Sequence, residues 1–420
     1  VASKTFTTQE TMANAHSARA WALAGLGEDP AAVARLGAAA VRALEANGVA
    51  AVPKHFPGHG NTDTDTHVAL PTNTAEWPRF ASVELAPFRA AVDAGATGIM
   101  SAHIATPALD GGRVRPATLS PAVLGGVLRD SLHFAGLVVT DALNMGALMR
   151  NYDVPTIAVD ALLAGADVLL QPSDPWVVVD AVVAAVREGR LSEARLDASV
   201  RKLLALKLRL GLFRHRTVSL DSVALVVGNG AFQRSADSIA TRSIVLAKDR
   251  DGVVARLRGG PARIALVAYG DDRSPTVGQT LAAELRARGH TVSLMRLWPQ
   301  SGPASYDTAR VALGAAGVAL FAVAARPLPW DAERLTLPAA LGGLIDSTAL
   351  ARPTILASFG SPYILRQSPS VGTFLLGWLA NPAMERAMAG ALGGAPITGR
   401  LPIRVPPDLP LGAGLMVEGR

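Results

Sequence analysis

The stretch Lys54-His55-Phe56-Pro57-Gly58-His59-Gly60-Asn61-Thr62-Asp63-Thr64-Asp65-Thr66-His67 gathers three of the chain's eight histidines with a lysine and two aspartates. Imidazole changes charge near neutrality, and a neighbouring carboxylate raises an imidazole's pKa, so such a set can pass protons. Pro57, Gly58 and Gly60 predict a tight, specially shaped loop. Two other readings stay open at this point. One is a solvated polar loop. The other is a metal centre drawn from His55, His59, Asp63, Asp65 and His67, whose spacing matches no zinc signature. A second segment, Val138-Val139-Thr140-Asp141-Ala142-Leu143-Asn144-Met145, ends an apolar run on a carboxylate. Asp141 is either a reacting group or a helix N-cap.

Elements able to hold these residues alternate along the chain, which predicts an α/β protein. Short apolar runs ending in polar residues predict strands over 49–56, 97–104, 137–141 and 167–171. Helical patterns lie before and between them, over 31–47, 82–94, 121–133 and 154–163. Lys54-His55, Ser101 to His103, Thr140-Asp141 and Gln171 then fall at carboxyl strand ends, the edge where parallel α/β sheets bind ligands. An amphipathic helix over 196–210 stops at Gly211, a left-handed cap. No clear strand pattern is seen in residues 1–24. Residues 216–240 read as a linker, and the alternation restarts beyond them. Strands are expected over 264–268, 292–297, 318–324, 354–358 and 373–378, with helices over 279–288 and 383–392.

The composition removes several classes of function. With 420 residues, 50% of them hydrophobic and 18% charged, the chain is folded and long enough for two or three domains. Its net charge of +6 and pI near 10 do not amount to a nucleic-acid surface. Only five of the 40 basic residues are lysines, the arginines are dispersed, and no basic run is interleaved with aromatics. The longest apolar candidate, 311–325, is 15 residues broken by Gly314 and Gly317, where a membrane span needs about 20. The absence of cysteine excludes disulfides, thiolate metal sites and cysteine nucleophiles, and says nothing of compartment.

The two polar segments together resemble family 3 glycoside hydrolases, specifically their β-N-acetylhexosaminidase branch. Lys54 to Gly60, then four residues, then Asp65-Thr66-His67 follows that branch's loop pattern, and Val139 to Met145 looks like its nucleophile segment. The 196–213 helix and Gly399-Arg400-Leu401-Pro402 are similar to the family's end-of-barrel helix and closing segment. The resemblance implies a retaining double displacement with Asp141 as nucleophile and His67, assisted by Asp65, as acid/base. It also implies sugar-binding roles for Lys54, His55 and His103. No metal or organic cofactor is expected. The substrate would be a small carbohydrate, an N-acetylglucosamine-containing glycan or muropeptide.

Two departures from the family pattern shape the expected architecture. Gly27-Glu28-Asp29-Pro30 fits, but the position of a sugar-binding arginine reads Ala24, with Arg19 the nearest arginine. Only four of eight barrel strands are found before residue 215. The expectation is therefore the C-terminal part of a (β/α)8 barrel over 1–215, N-terminally truncated, then a linker and an α/β sandwich domain over 241–420. A half barrel would leave an open edge and uncovered apolar faces. Two rival functions stay open: a phosphorylase using the same residues, since a histidine repels an incoming phosphate less than a carboxylate would, and a silent carbohydrate-binding homologue, favoured by the missing strands and Ala24.

Overall fold

The computed structural model describes residues 2–5, 27–62, 64–325, 336–407 and 409–420. Ala24, Arg19 and Asp63 lie outside the described residues. The chain divides into two compact units, 1–218 and 219–420.

In the first unit, parallel strands follow one another in chain order. β1 (Ala2–Thr5) pairs with β2 (Ala51–Lys54), and β3 (Gly98–Met100) pairs with β4 (Leu137–Val139). Parallel bridges Phe56–Ser101 and Val139–Val168 join these pairs and add a further strand position. β1 corrects the expectation of no strand before residue 24. Four mostly polar residues carry no hydrophobic period, and their strand character comes from pairing with a segment almost 50 residues away.

The helices start where the sequence supplies caps. Asp29 accepts from the Ala31 and Ala32 N–H groups ahead of α1 (Pro30–Ala46), with Pro30 at the first helical position. α2 (Ala86–Asp93) and α3 (Ala122–Ser131) follow, the latter wound with i→i+5 hydrogen bonds such as Leu132 N–H to Val127 O. Next come α4 (Gly146–Met149) and α5 (Val154–Ala164), the latter capped by Asp153 and closed by left-handed Gly165. α6 (Pro175–Arg187) repeats the device with Asp174 and Pro175, and α7 (Glu193–Arg209) is capped by Ser192. Gly211 has φ +71°, as its capping role requires. Phe56, Phe80, Phe88, Ile99, Leu124 and Val138 are fully buried between strands and helices.

A charged clamp fastens α3 and α7 to the sheet. The buried Asp167 carboxylate accepts from Val138 N–H (3.0 Å), Ser199 Oγ (2.6 Å), Arg129 (3.0 Å) and Lys202 (3.1 Å). Burial opposes its ionisation, but the Ser199 hydroxyl, the Val138 N–H and Lys202 together hold its pKa below the usual value. Asp167→Ala leaves three partly exposed cations, Arg129, Lys202 and Arg195 (3.6 Å from Asp167), without their common anion. It is expected to cost about 3 kcal/mol, the lower end for breaking such a pair because the cations keep some water. The first unit's denaturation midpoint measures this. Because the folded pKa is depressed, the stabilisation is present above the ordinary aspartate pKa and fades as pH falls through the lower, folded value.

In the second unit, residues 216–240, expected as a linker, carry α8 (Leu220–Val226) and most of α9 (Gly230–Ser243). A six-stranded sheet follows in the order β5-β10-β9-β8-β6-β7. Its strands are β5 (Val245–Asp249), β6 (Arg263–Tyr269), β7 (Thr291–Leu297), β8 (Val318–Val323), β9 (Thr354–Ser358) and β10 (Thr373–Leu376). All pairs are parallel except β5 with β10. β8 is buried along its whole length, which explains its uninterrupted apolar sequence. The apolar stretch 311–325 is the end of one helix, a turn and this strand. Among the described residues no helix is long and apolar enough to cross a membrane.

Candidate active site

Lys54-His55 leaves β2, Ser101 and His103 follow β3, and Asp141 follows β4, so three consecutive parallel strands deliver their polar ends to one rim. His55 Nε2 lies 3.3 Å from Asp141 Oδ2. Burial drives the His55 pKa down to about 3 against the pull of Asp141, so the ring is neutral at neutral pH. A ring lone pair facing a carboxylate would be repelled, which favours the Nε2–H tautomer. Burial also opposes ionisation of Asp141, but His55, His103, the Ala142 N–H and Lys54 outweigh it and hold the pKa below the usual value. The Ala142 N–H donates to Asp141 Oδ1 at 2.9 Å. Asp141 caps no helix of the described structure; α4 begins five residues later, with Met145 in the capping place.

His103, expected to face the sugar, is instead wholly buried, and both its ring nitrogens bond within the protein. Nε2–H donates to the Ala142 carbonyl (2.9 Å) and Nδ1 meets Thr118 Oγ1 (2.9 Å), which in turn touches Ser101 Oγ (2.8 Å). Burial lowers the His103 pKa, so the ring is neutral and its Nδ1 shares the Thr118 hydroxyl with the Ala102 carbonyl, 3.1 Å from Thr118 Oγ1. The ring therefore fixes the backbone beside Asp141.

His67 and Asp65 form a local pair. Asp65 Oδ1 accepts from the His67 backbone N–H (2.8 Å) and from Nδ1–H (2.7 Å). With Nδ1–H held in this way, proton exchange falls to Nε2. The His67 side chain is 44% exposed and that of Asp65 27%, so the pair can meet a ligand from solvent. His59 plays a different part. It is 1% exposed, with Nδ1 at 2.8 Å from Thr62 Oγ1 and Nε2 at 3.4 Å from Thr66 Oγ1. Burial lowers its pKa to about 4, and the neutral ring staples the loop from within. Gly58 has φ +131°, and a Cβ there would sit 2.7 Å from Cβ of the buried Glu84, which Arg79 holds at 3.0 Å. At Gly58 both the backbone angle and the space demand glycine.

Thr118, Arg79 and Glu84 were not singled out by the sequence, and Thr62 and Thr66 entered only as members of the loop, without a role of their own. The threonines three and seven residues beyond His59 are a local signal; Thr118 and Glu84 have none. Among the described residues, no group of three or more His, Asp or Glu side chains is placed to hold a metal ion.

An ionised carboxylate and a carboxylate-held imidazole on the rim of parallel strands equip an enzyme for nucleophilic and acid–base chemistry. The profile of the glycosyl hydrolase family 3 N-terminal domain matches residues 12–206. A β-N-acetylglucosaminidase/β-glucosidase of Cellulomonas fimi is 30% identical over 407 residues, covering 90% of this chain and 70% of the relative. A β-hexosaminidase of Hydrogenovibrio crunogenus is 37% identical over 170 residues, 40% of this chain and 46% of the relative. A solved family 3 β-N-acetylglucosaminidase from Paenibacillus superposes with a TM-score of 0.81 at 30% identity, over 96% of this chain and 75% of that one. This chain belongs to glycosyl hydrolase family 3 and is a glycosidase with the α/β fold of that family.

Proposed function

We propose that the protein is a retaining exo-β-N-acetylglucosaminidase acting on peptidoglycan fragments, with Asp141 as nucleophile and His67 as acid/base. In this reading 1–215 is the C-terminal part of a (β/α)8 barrel carrying the catalytic residues, and 241–420 is an α/β sandwich domain. The observation that carries the chemistry is the division of labour between two groups. Asp141 is kept anionic by its surroundings, while Asp65 holds His67 Nδ1–H and so orients the ring for proton transfer through Nε2. The activities for which the Cellulomonas and Hydrogenovibrio relatives are named support the choice of sugar.

In the first step Asp141 Oδ attacks the anomeric carbon. The bond to the leaving oxygen breaks, and His67 Nε2–H gives that oxygen its proton. In the second step water attacks the same carbon, its proton passes to His67 Nε2, and the bond to Asp141 breaks. Asp65 stabilises the imidazolium that enters the first step and is re-formed in the second; between the two steps the ring is neutral. Lys54 and His55 line the Asp141 side, where they would meet sugar hydroxyls, and His103 positions the backbone.

The test is product analysis with the full-length protein and a chromogenic β-N-acetylglucosaminide. Free N-acetylglucosamine appearing first as the β anomer is the expected product. The α anomer appearing first would overturn retention. A sugar 1-phosphate replacing the free sugar when phosphate is supplied would make the enzyme a phosphorylase instead.

A further inference from the structure

The loop that carries His67 is hydrogen-bonded, backbone to backbone, to the chain that follows Asp141. Gly146 N–H donates to the His67 carbonyl (3.2 Å) and Ala147 N–H donates to the Thr66 carbonyl (3.0 Å). The approach is too close for any side chain at position 146. A Cβ there would stand 2.6 Å from His67 O, 2.7 Å from Val68 O and 3.0 Å from Val68 C, all backbone atoms that cannot rotate aside. One partner would have to move. Ala147 and Leu148 are completely buried, whereas Val68 is 44% exposed, so α4 is the fixed side and the loop is the yielding one.

We propose that Gly146 is a positioning residue for the acid/base: it latches the His67 loop to the segment that bears Asp141, and so sets the distance between proton donor and nucleophile. The inference rests on the reading of His67 given above. The latch holds the backbone of the very residue whose imidazole must deliver a proton. Asp65 and His67 share a local turn and would move together, so their 2.7 Å contact would survive while their placement over the substrate would not. Restoring ordinary contact distance requires a loop shift of somewhat under about 1 Å, and misplacements on that scale reduce catalysis by up to about 100-fold.

The test compares Gly146→Ala and Gly146→Val with His67→Ala on aryl N-acetylglucosaminides of graded leaving-group acidity, in the full-length protein. For both Gly146 variants, kcat/KM is expected to fall about 10- to 100-fold for the poorest leaving groups and only a few-fold for the most acidic phenols. Azide, a nucleophile that needs no general base, is expected to raise their kcat. Amide exchange over residues 64–69 should quicken in Gly146→Ala while α4 keeps its protection, a readout that also separates loop release from misfolding. An equal loss across the whole series, or unchanged exchange and kinetics, would overturn the latch. If those results accompany a leaving-group-selective loss in His67→Ala, the latch alone is wrong. If His67→Ala itself shows no selectivity, the acid/base assignment fails first.

Discussion

Asp141→Ala is expected to lower kcat by between about 10⁴- and 10⁶-fold, the scale seen when a nucleophile is removed from an otherwise intact site. The fold should survive. Asp141 is partly exposed, it caps no described helix, and the buried His103 keeps its bonds to Thr118 and to the Ala142 carbonyl without it. A fluorinated sugar that forms a slowly hydrolysed glycosyl–enzyme should label Asp141 and no other residue, read by peptide mass spectrometry. The acid limb of kcat/KM is a second readout. Since Asp141 is held below the ordinary carboxylate range, activity should persist as pH drops through that range and fall only at the depressed value. Label on another carboxylate, or a variant turning over at near-parental rate, ends the assignment.

What the sequence disclosed was whatever local pattern dictates. Buried parallel strands read as apolar runs, and the polar residues expected at their carboxyl ends, Lys54, His55 and Asp141, lie at the end of β2 and just beyond β2 and β4, while Thr354–Ser358 was delimited to the residue. α6 was overlooked although Asp174-Pro175 repeats the capping signal seen at Asp29-Pro30; the β-branched valines beyond it favour a strand when taken by themselves. β5 is antiparallel and ends in Lys248-Asp249, so the expectation of a uniformly apolar parallel strand passed over it.

Long-range partners were the other gap. His103 follows β3 as expected, but the fate of its ring nitrogens depends on Thr118 and Ala142, 15 and 39 residues away. A histidine at a strand end looks the same in sequence whether it faces ligand or backbone. His59 shows the converse. It entered as a possible metal ligand, and its threonine partners lie within seven residues, so the loop-stapling role could have been read locally. Gly146 stands wholly outside local reasoning, because the carbonyl it approaches belongs to a residue of another strand's loop.

His67 and Asp65 should fail together and selectively. His67→Ala is expected to cut kcat/KM by about 10²- to 10⁴-fold for leaving groups that need protonation, the usual contribution of a general acid. Acidic phenols leave as anions without help, so for them kcat/KM should be nearly unchanged. Their kcat should fall along with KM, because the second step loses its base and the glycosyl–enzyme accumulates. Asp65→Ala removes the acceptor for both the His67 backbone N–H and Nδ1–H, so the ring loses its orientation and its imidazolium loses a stabilising anion. Its losses should run in the same direction but be smaller, since an imidazole remains. The double variant should be little worse than His67→Ala alone, because Asp65 acts only through the ring it holds. A leaving-group series across the three variants decides the matter. Uniform slowing across the series would remove His67 from proton transfer, and additive losses in the double variant would separate Asp65 from it.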